Sequence, residues 1–278
     1  MRSVTAHMRI ALGQLNMVWE DKGLSLQKAE ELIRQAAAGK ADVIFFPEMS
    51  LTGFSMNLDR IGEQRAASES VAAMQKLAVK YGTAVGFGWA ALPEPGDEKG
   101  TNRFTLVDRD GQVLGEYAKL HPFRYGGEAD AYQGGNELVT VPFCGHGIGL
   151  YVCYDLRFPE IFQAASDRAD LLVVIADWPA SRRDHWLTLL RARAIENQAY
   201  VAGINCVGDL DGLHYSGDST VFDPMGQMLG TLHGQEGLVV CDIGEDARTL
   251  REKFQMKSDR RNDLYIQQYE KIRKVQSL

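Results

Sequence analysis

Four short runs of this chain, at residues 43–46, 83–89, 148–152 and 171–175, are apolar at almost every position. A strand that alternates apolar and polar residues can leave one face in water, but these cannot, so each needs cover on both faces. Such strands belong to sheets that carry helices on their outer side. The segments between them supply the helices. Leu26, Ala29, Leu32, Ile33 and Ala36 recur at helical spacing ahead of Gly39, and Val71, Met74, Leu77, Ala78 and Tyr81 do so ahead of Gly82. A short helix is predicted from Pro159, and a longer one on which Trp186, Leu189, Leu190, Arg193 and Asn197 share a side. Ser181 with Asp184 three residues on predicts a capping box at the start of that longer helix. Further strands are predicted at 9–14, 103–107, 112–117, 200–205, 219–222 and 238–241, with Asp110-Gly111 turning the second of these into the third as a hairpin. No linker or composition break interrupts residues 8–278, which predicts one α/β domain with a tail from about residue 259. Residues 1–7 read as a disordered extension without the apolar core of a signal peptide.

One weak internal echo bears on the architecture. Asp108-Arg109-Asp110-Gly111-Gln112-Val113-Leu114-Gly115 resembles Asp223-Pro224-Met225-Gly226-Gln227-Met228-Leu229-Gly230. Two hairpins needing the same turn chemistry would explain it. So would two similar halves, each contributing a sheet to a four-layer sandwich with the active site between the sheets.

Several function classes are disfavoured. The net charge of -7 and the lack of a basic stripe with interleaved aromatics argue against a nucleic-acid partner. No apolar run approaches the roughly 20 residues that span a bilayer. Cys144, Cys153, Cys206 and Cys241 offer neither a disulfide framework nor a zinc ligand pair, which predicts reduced thiols, a cytoplasmic setting and no metal. Gly86-Phe87-Gly88 is too short for a dinucleotide fingerprint, and no cofactor is implied.

Three segments carry chemistry. Phe45-Phe46-Pro47-Glu48 puts a carboxylate at the end of an apolar strand, where burial would favour proton shuttling, although a glutamate capping a turn is the plainer reading. Glu116-Tyr117-Ala118-Lys119 leaves a lysine at the exit of a hairpin strand, as a solvated edge charge or as a fixed cation for an oxyanion. Val152-Cys153-Tyr154-Asp155 ends a buried strand on a cysteine just before a helix start. Such a thiol is either core filler or a nucleophile beside converging backbone N–H groups.

In this order and with these flanks, the segments resemble the nitrilase superfamily of carbon–nitrogen hydrolases from about residue 9 to 265. The resemblance implies a four-layer α-β-β-α sandwich, a homodimer or higher homo-oligomer in which residues 259–278 pack on a partner, and a Glu48, Lys119, Cys153 triad. Glu128 matches a second glutamate of the family. A cysteine thioester releasing ammonia follows, with Lys119 and the backbone N–H of Tyr154 holding the oxyanion. The segments at 153–159, 178–186, 191–200 and 217–219 look like the ω-amidases, which hydrolyse the distal amide of 2-oxoglutaramate and 2-oxosuccinamate. N-carbamoyl-amine or aliphatic amide hydrolysis is the rival within the superfamily, and a noncatalytic scaffold the rival outside it. A 2-oxo acid needs a guanidinium at the pocket mouth, for which Arg124 and Arg182 are candidates, with Phe123, Tyr125 and Trp178 as walls.

Overall fold

The computed structural model describes residues 7–276, so the extension expected at 1–7 lies, but for His7, outside the described residues. In chain order the elements are β1 (Met8–Gln14), α1 (Lys22–Ala38), β2 (Val43–Phe45), α2 (Leu58–Ile61), α3 (Glu69–Tyr81), β3 (Ala84–Ala91), β4 (Thr101–Val107) and β5 (Val113–Ala118). Then come α4 (Glu128–Ala131), β6 (Thr140–Phe143), β7 (His146–Val152), α5 (Pro159–Ala165), β8 (Leu171–Ala176), α6 (Arg183–Asn197) and β9 (Tyr200–Asn205). The chain continues through β10 (Val207–Leu210), β11 (Leu213–Phe222), β12 (Met228–His233), β13 (Gly237–Ile243), α7 (Asp246–Lys253) and α8 (Asn262–Gln276).

Because successive strand residues point to opposite faces, each apolar strand feeds two cores at once. Ile10, Leu12, Phe45, Leu150, Val173 and Ile175 meet between the sheets. Ala11, Ile44 and Val85 face the other way, onto Leu32 and Ile33 of α1 and Met74 and Ala78 of α3. On the second sheet, Leu172, Val174 and Val201 turn outward onto Phe162 of α5 and Trp186 and Leu190 of α6. The layers therefore run α-β-β-α, the four-layer sandwich expected from the sequence.

The two halves share a topology. In the first sheet β1, β2 and β3 are parallel and β4 and β5 continue antiparallel. In the second, β7, β8 and β9 are parallel and β11 and β12 continue antiparallel. The echoed segments are the β4–β5 and β11–β12 turns, at equivalent places in each sheet. Their turn chemistry also matches. Asp108 Oδ1 accepts from the backbone N–H of Asp110 (2.9 Å) and Gln112 (2.8 Å), and Asp223 Oδ1 accepts from Met225 and Gln227 (2.8 Å each). Gly111 (φ 80°) and Gly226 (φ 77°) occupy the left-handed region that these turns require. Both explanations of the echo hold.

Some details differ from expectation. The Ser181–Asp184 capping box does not form. A 3-10 turn over Ala180–Arg182 intervenes, α6 starts at Arg183, and its N-cap Arg182 makes no side-chain cap bond. Strands β6, β10 and β12 were not foreseen: β6 is only four residues long and carries Pro142, and β12 has exposed and half-buried residues in alternation. The tail from about 259 holds α8, on which Leu264, Tyr265, Ile266, Tyr269 and Ile272 are exposed. Among the described residues, no helix is long and apolar enough to cross a membrane.

Candidate active site

Four polar side chains sit just beyond C-terminal strand ends. Glu48 lies three residues past β2, and Lys119, Cys153 and Asp177 directly follow β5, β7 and β8. Parallel strands end together there, and the loops beyond them form the crevice of open α/β sheets. The Glu48 loop rests on β3: Ser50 N–H donates to the Gly88 carbonyl and Gly88 N–H to Ser50 Oγ, both at 2.9 Å. A Cβ at Gly88 would come within 2.4 Å of the Met49 nitrogen and 2.9 Å of Glu48 Cα. The second glycine of Gly86-Phe87-Gly88 thus makes room for this loop. Replacing Gly88 by Ala is expected to push Glu48 out of place and to lower kcat at least about tenfold, since small displacements at a reacting centre are costly. Steady-state ammonia release, with circular dichroism to verify folding, checks this.

Glu48, Lys119 and Glu128 form one buried ionic cluster. Lys119 Nζ lies 2.8 Å from Glu48 Oε1 and 2.7 Å from Glu128 Oε2, with all three side chains at most 1% exposed. Asn102 Nδ2 donates to Glu48 Oε1 (2.6 Å) and to Glu128 Oε1 (2.9 Å). Phe123 N–H donates to Glu128 Oε2 (2.6 Å) and Asp177 N–H to Glu48 Oε2 (3.1 Å). Burial alone would depress the Lys119 ammonium, but the carboxylates of Glu128 and Glu48 override it and hold the pKa well above the usual lysine value.

Cys153 opens a 3-10 helix (Cys153–Arg157) at φ 47°, a left-handed conformation that non-glycine residues seldom adopt. Asp155 fixes this elbow. Its Oδ2 accepts from Val152 N–H (3.2 Å) and Tyr117 Oη (2.7 Å), and its Oδ1 accepts from His121 N–H (3.1 Å) and lies 2.8 Å from His121 Nδ1. Burial, then the charge of Glu48, push the Cys153 thiol well above its ordinary pKa, against the pull of Lys119. The Glu48 carboxyl is the sulfur's neighbour. Tyr154 N–H belongs to the first turn of this helix, where N–H groups have no partner within the helix.

Cys153 lines a cavity of about 390 Å³ walled by Trp19, Phe54, Phe123, Trp178 and Tyr215. Two guanidiniums also line it. Arg157 lies 4.7 Å over the Trp178 ring, and Arg182 lies 5.6 Å over the Phe123 ring. Burial, then the charge of Arg182, lower the pKa of Arg157, so the two cations are close enough to oppose one another. Arg124, the other guanidinium expected at the mouth, is elsewhere: a 3-10 turn (Arg124–Gly126) turns it outward over a separate hollow beside His121 and Phe158. Tyr125 is 90% exposed and forms no wall. Sequence reading passed over Arg157, although it lies within the cysteine segment itself.

Three further residues were not foreseen. Asn102 and Asp155 gave no signal beyond their places just ahead of the strand expected at 103–107 and two residues after the cysteine. Asp177 is 4% exposed and lines the cavity, yet neither carboxyl oxygen makes a hydrogen bond of ordinary length and angle. Burial, then the charge of Glu48, raise its pKa well above the usual aspartate value, with the Cys206 thiol, Lys119 and the Phe54 backbone opposing. Among the described residues no group of His, Cys, Asp and Glu is arranged to hold a metal ion.

Residues 9–252 match the family described as carbon-nitrogen hydrolase. The chain is 38% identical over 250 residues to omega-amidase YafV of Yersinia enterocolitica, covering 89% of this chain and 94% of that one. It is 34% identical over 244 residues to a 2-oxoglutaramate amidase of Bacillus subtilis, covering 87% and 93%. Among solved structures, XC1258 of Xanthomonas campestris, a CN-hydrolase superfamily protein with an arsenic adduct in its active site, superposes with a TM-score of 0.85 at 33% identity, covering 91% of this chain and 97% of that one. A cysteine-to-alanine mutant of the amidase from Nesterenkonia sp. AN1, in complex with butyramide, gives 0.84 at 29% identity, covering 95% and 97%.

Proposed function

The chain belongs to the carbon–nitrogen hydrolases and hydrolyses amides, and from that premise we propose that its substrate is a small ω-amide of a 2-oxo acid, such as 2-oxoglutaramate or 2-oxosuccinamate, cleaved through a Cys153 thioester. One observation carries the substrate reading: the cavity that Cys153 lines also presents Arg157 and Arg182, each held over an aromatic ring. A pair of guanidiniums grips a carboxylate at the far end of a short amide and leaves the amide at the sulfur.

The cluster supports the following steps. The Cys153 S–H proton passes to the Glu48 carboxylate as sulfur bonds to the amide carbon. The carbonyl electron pair moves to oxygen, where the Lys119 ammonium and the Tyr154 N–H hold the oxyanion. Donors of this kind are each worth about 3–4 kcal/mol in comparable sites. The oxyanion reforms the carbonyl, the C–N bond breaks, and Glu48 returns its proton to the nitrogen, which leaves as ammonia. A water then attacks the thioester, giving its proton to Glu48, and the carboxylic acid departs as sulfur regains a proton. Glu128 anchors Lys119 through the 2.7 Å contact of its Oε2 with Nζ.

Arg157→Ala is expected to raise KM for 2-oxoglutaramate at least about tenfold, because one charge-assisted pair is lost, with a smaller change in kcat. The substrate test is ammonia release from 2-oxoglutaramate, succinamate, glutamine, an aliphatic amide and an N-carbamoyl amine. Preference for the carboxylated ω-amides, lost on Arg157→Ala, supports the proposal. Equal rates on all five, or a preference for the N-carbamoyl compound, overturns it. The exposed apolar residues of α8 support a second copy of this chain as partner, which light scattering tests, and four free cysteines suit a reducing, cytoplasmic setting.

A further inference from the structure

Asn102 stands on β4, is 1% exposed, and holds no place in the steps above. Its Nδ2 spends both hydrogens within the ionic cluster, one on Glu48 Oε1 at 2.6 Å and one on Glu128 Oε1 at 2.9 Å. Its Oδ1 is buried and accepts from nothing. A side chain that gives up one hydrogen-bonding atom in the interior to place the other between two carboxylates is selected by those carboxylates.

The geometry points to Asn102 as a positioning residue that acts through Glu48: a neutral fork that ties the proton carrier to the Lys119–Glu128 pair and keeps it ready to accept the thiol proton. A second cation beside the oxygen that Lys119 already holds would weaken Glu48 further as a base, and a carboxylic acid would compete for its proton. A neutral amide donor weakens it far less and does not compete. It also sets the direction in which the carboxylate presents itself: Oε1 is taken by Asn102 and Lys119, while Oε2 accepts only the Asp177 N–H among the hydrogen bonds found. The oxygen with spare capacity is thus Oε2. This inference rests on the proposed role of Glu48, but not on the identity of the amide.

The test is the pH dependence of kcat and KM for Asn102→Leu, which keeps the approximate shape and removes the donors. Other ionisable groups facing the cluster are Lys119, Glu128, Cys153, Asp177 and Tyr132, of which Glu128 also loses its Asn102 hydrogen bond. A donor to a carboxylate favours its charged form, so losing one makes proton uptake easier. The acid limb of kcat/KM is therefore expected to move to higher pH by half a unit or more, with kcat at least tenfold lower at neutral pH and KM within about threefold. Asn102→Asp, which puts a third carboxylate between the two, is expected to lose more. If Asn102→Leu does not fold, Asn102→Ser, too short to reach both glutamates, carries the same test. An unmoved acid limb with wild-type kcat overturns the inference, as does a rise in KM alone, which would make Asn102 a substrate contact. Should Glu48→Gln retain full activity, the proposed role of Glu48 fails as well, which separates the two outcomes.

Discussion

Replacing Cys153 by Ala is expected to lower ammonia release by about 10⁴-fold or more, the scale of removing a nucleophile whose neighbours act with it as a unit. The ionic cluster of Glu48, Lys119 and Glu128 does not bond through the sulfur, and the Asp155 contacts that fix the elbow run through backbone and through Tyr117 and His121. The fold should therefore survive, with a melting temperature within a few degrees of wild type. Mass spectrometry of the wild-type protein mixed with substrate and quenched in acid should reveal an acyl adduct on Cys153 that the variant lacks. Ammonia release by the variant at the wild-type rate would rule out the covalent route.

Lys119→Met is expected to act on activity and stability together. It removes the proposed oxyanion donor, for which the expected loss is about 10²–10³ in kcat. It also leaves Glu48 and Glu128, both fully buried, without their shared cation. Breaking a buried ion pair by deleting one partner typically costs about 3–5 kcal/mol, because the surviving charge has no compensation. Urea denaturation should show that loss. The double variant Lys119→Met/Glu128→Gln, with one buried charge fewer, should recover part of the stability and none of the activity. A single variant as stable as wild type would mean that the cluster does not hold its charges as the contacts indicate.

Much of this was legible in the sequence, for reasons that can be named. Glu48 and Cys153 each follow an apolar strand and Lys119 a hairpin strand, and strand ends are where period and composition change most abruptly. The turn echo was legible because an Asp accepting from the residues two and four beyond it needs a glycine at a fixed offset. The capping box at Ser181 misled because Pro179 feeds a 3-10 turn, so the helix begins one residue later than Ser181 would have it. Arg124 and Arg157 could not be told apart beforehand. Both lie in aromatic segments, and only the direction of a three-residue turn sends one outward and leaves the other over Trp178. Asn102 and Asp177 were hidden for a different reason: their importance comes from residues far off in the chain, Asn102 meeting Glu48 across 54 positions and Asp177 across 129.

Strand β13 carries a consequence for how the protein matures. It pairs along the whole of β1, from Met8 with Ile243 to Gln14 with Gly237, and β1 in turn flanks β2, which leads into Glu48. Once residue 153 has been joined to the growing chain, the proposed triad has been made. The strand at the border of the sheet that carries Glu48 begins 84 residues further on, at Gly237. A nascent chain is therefore expected to carry the proposed nucleophile well before the sheet is complete, with hydrolytic competence arriving when the last strand docks.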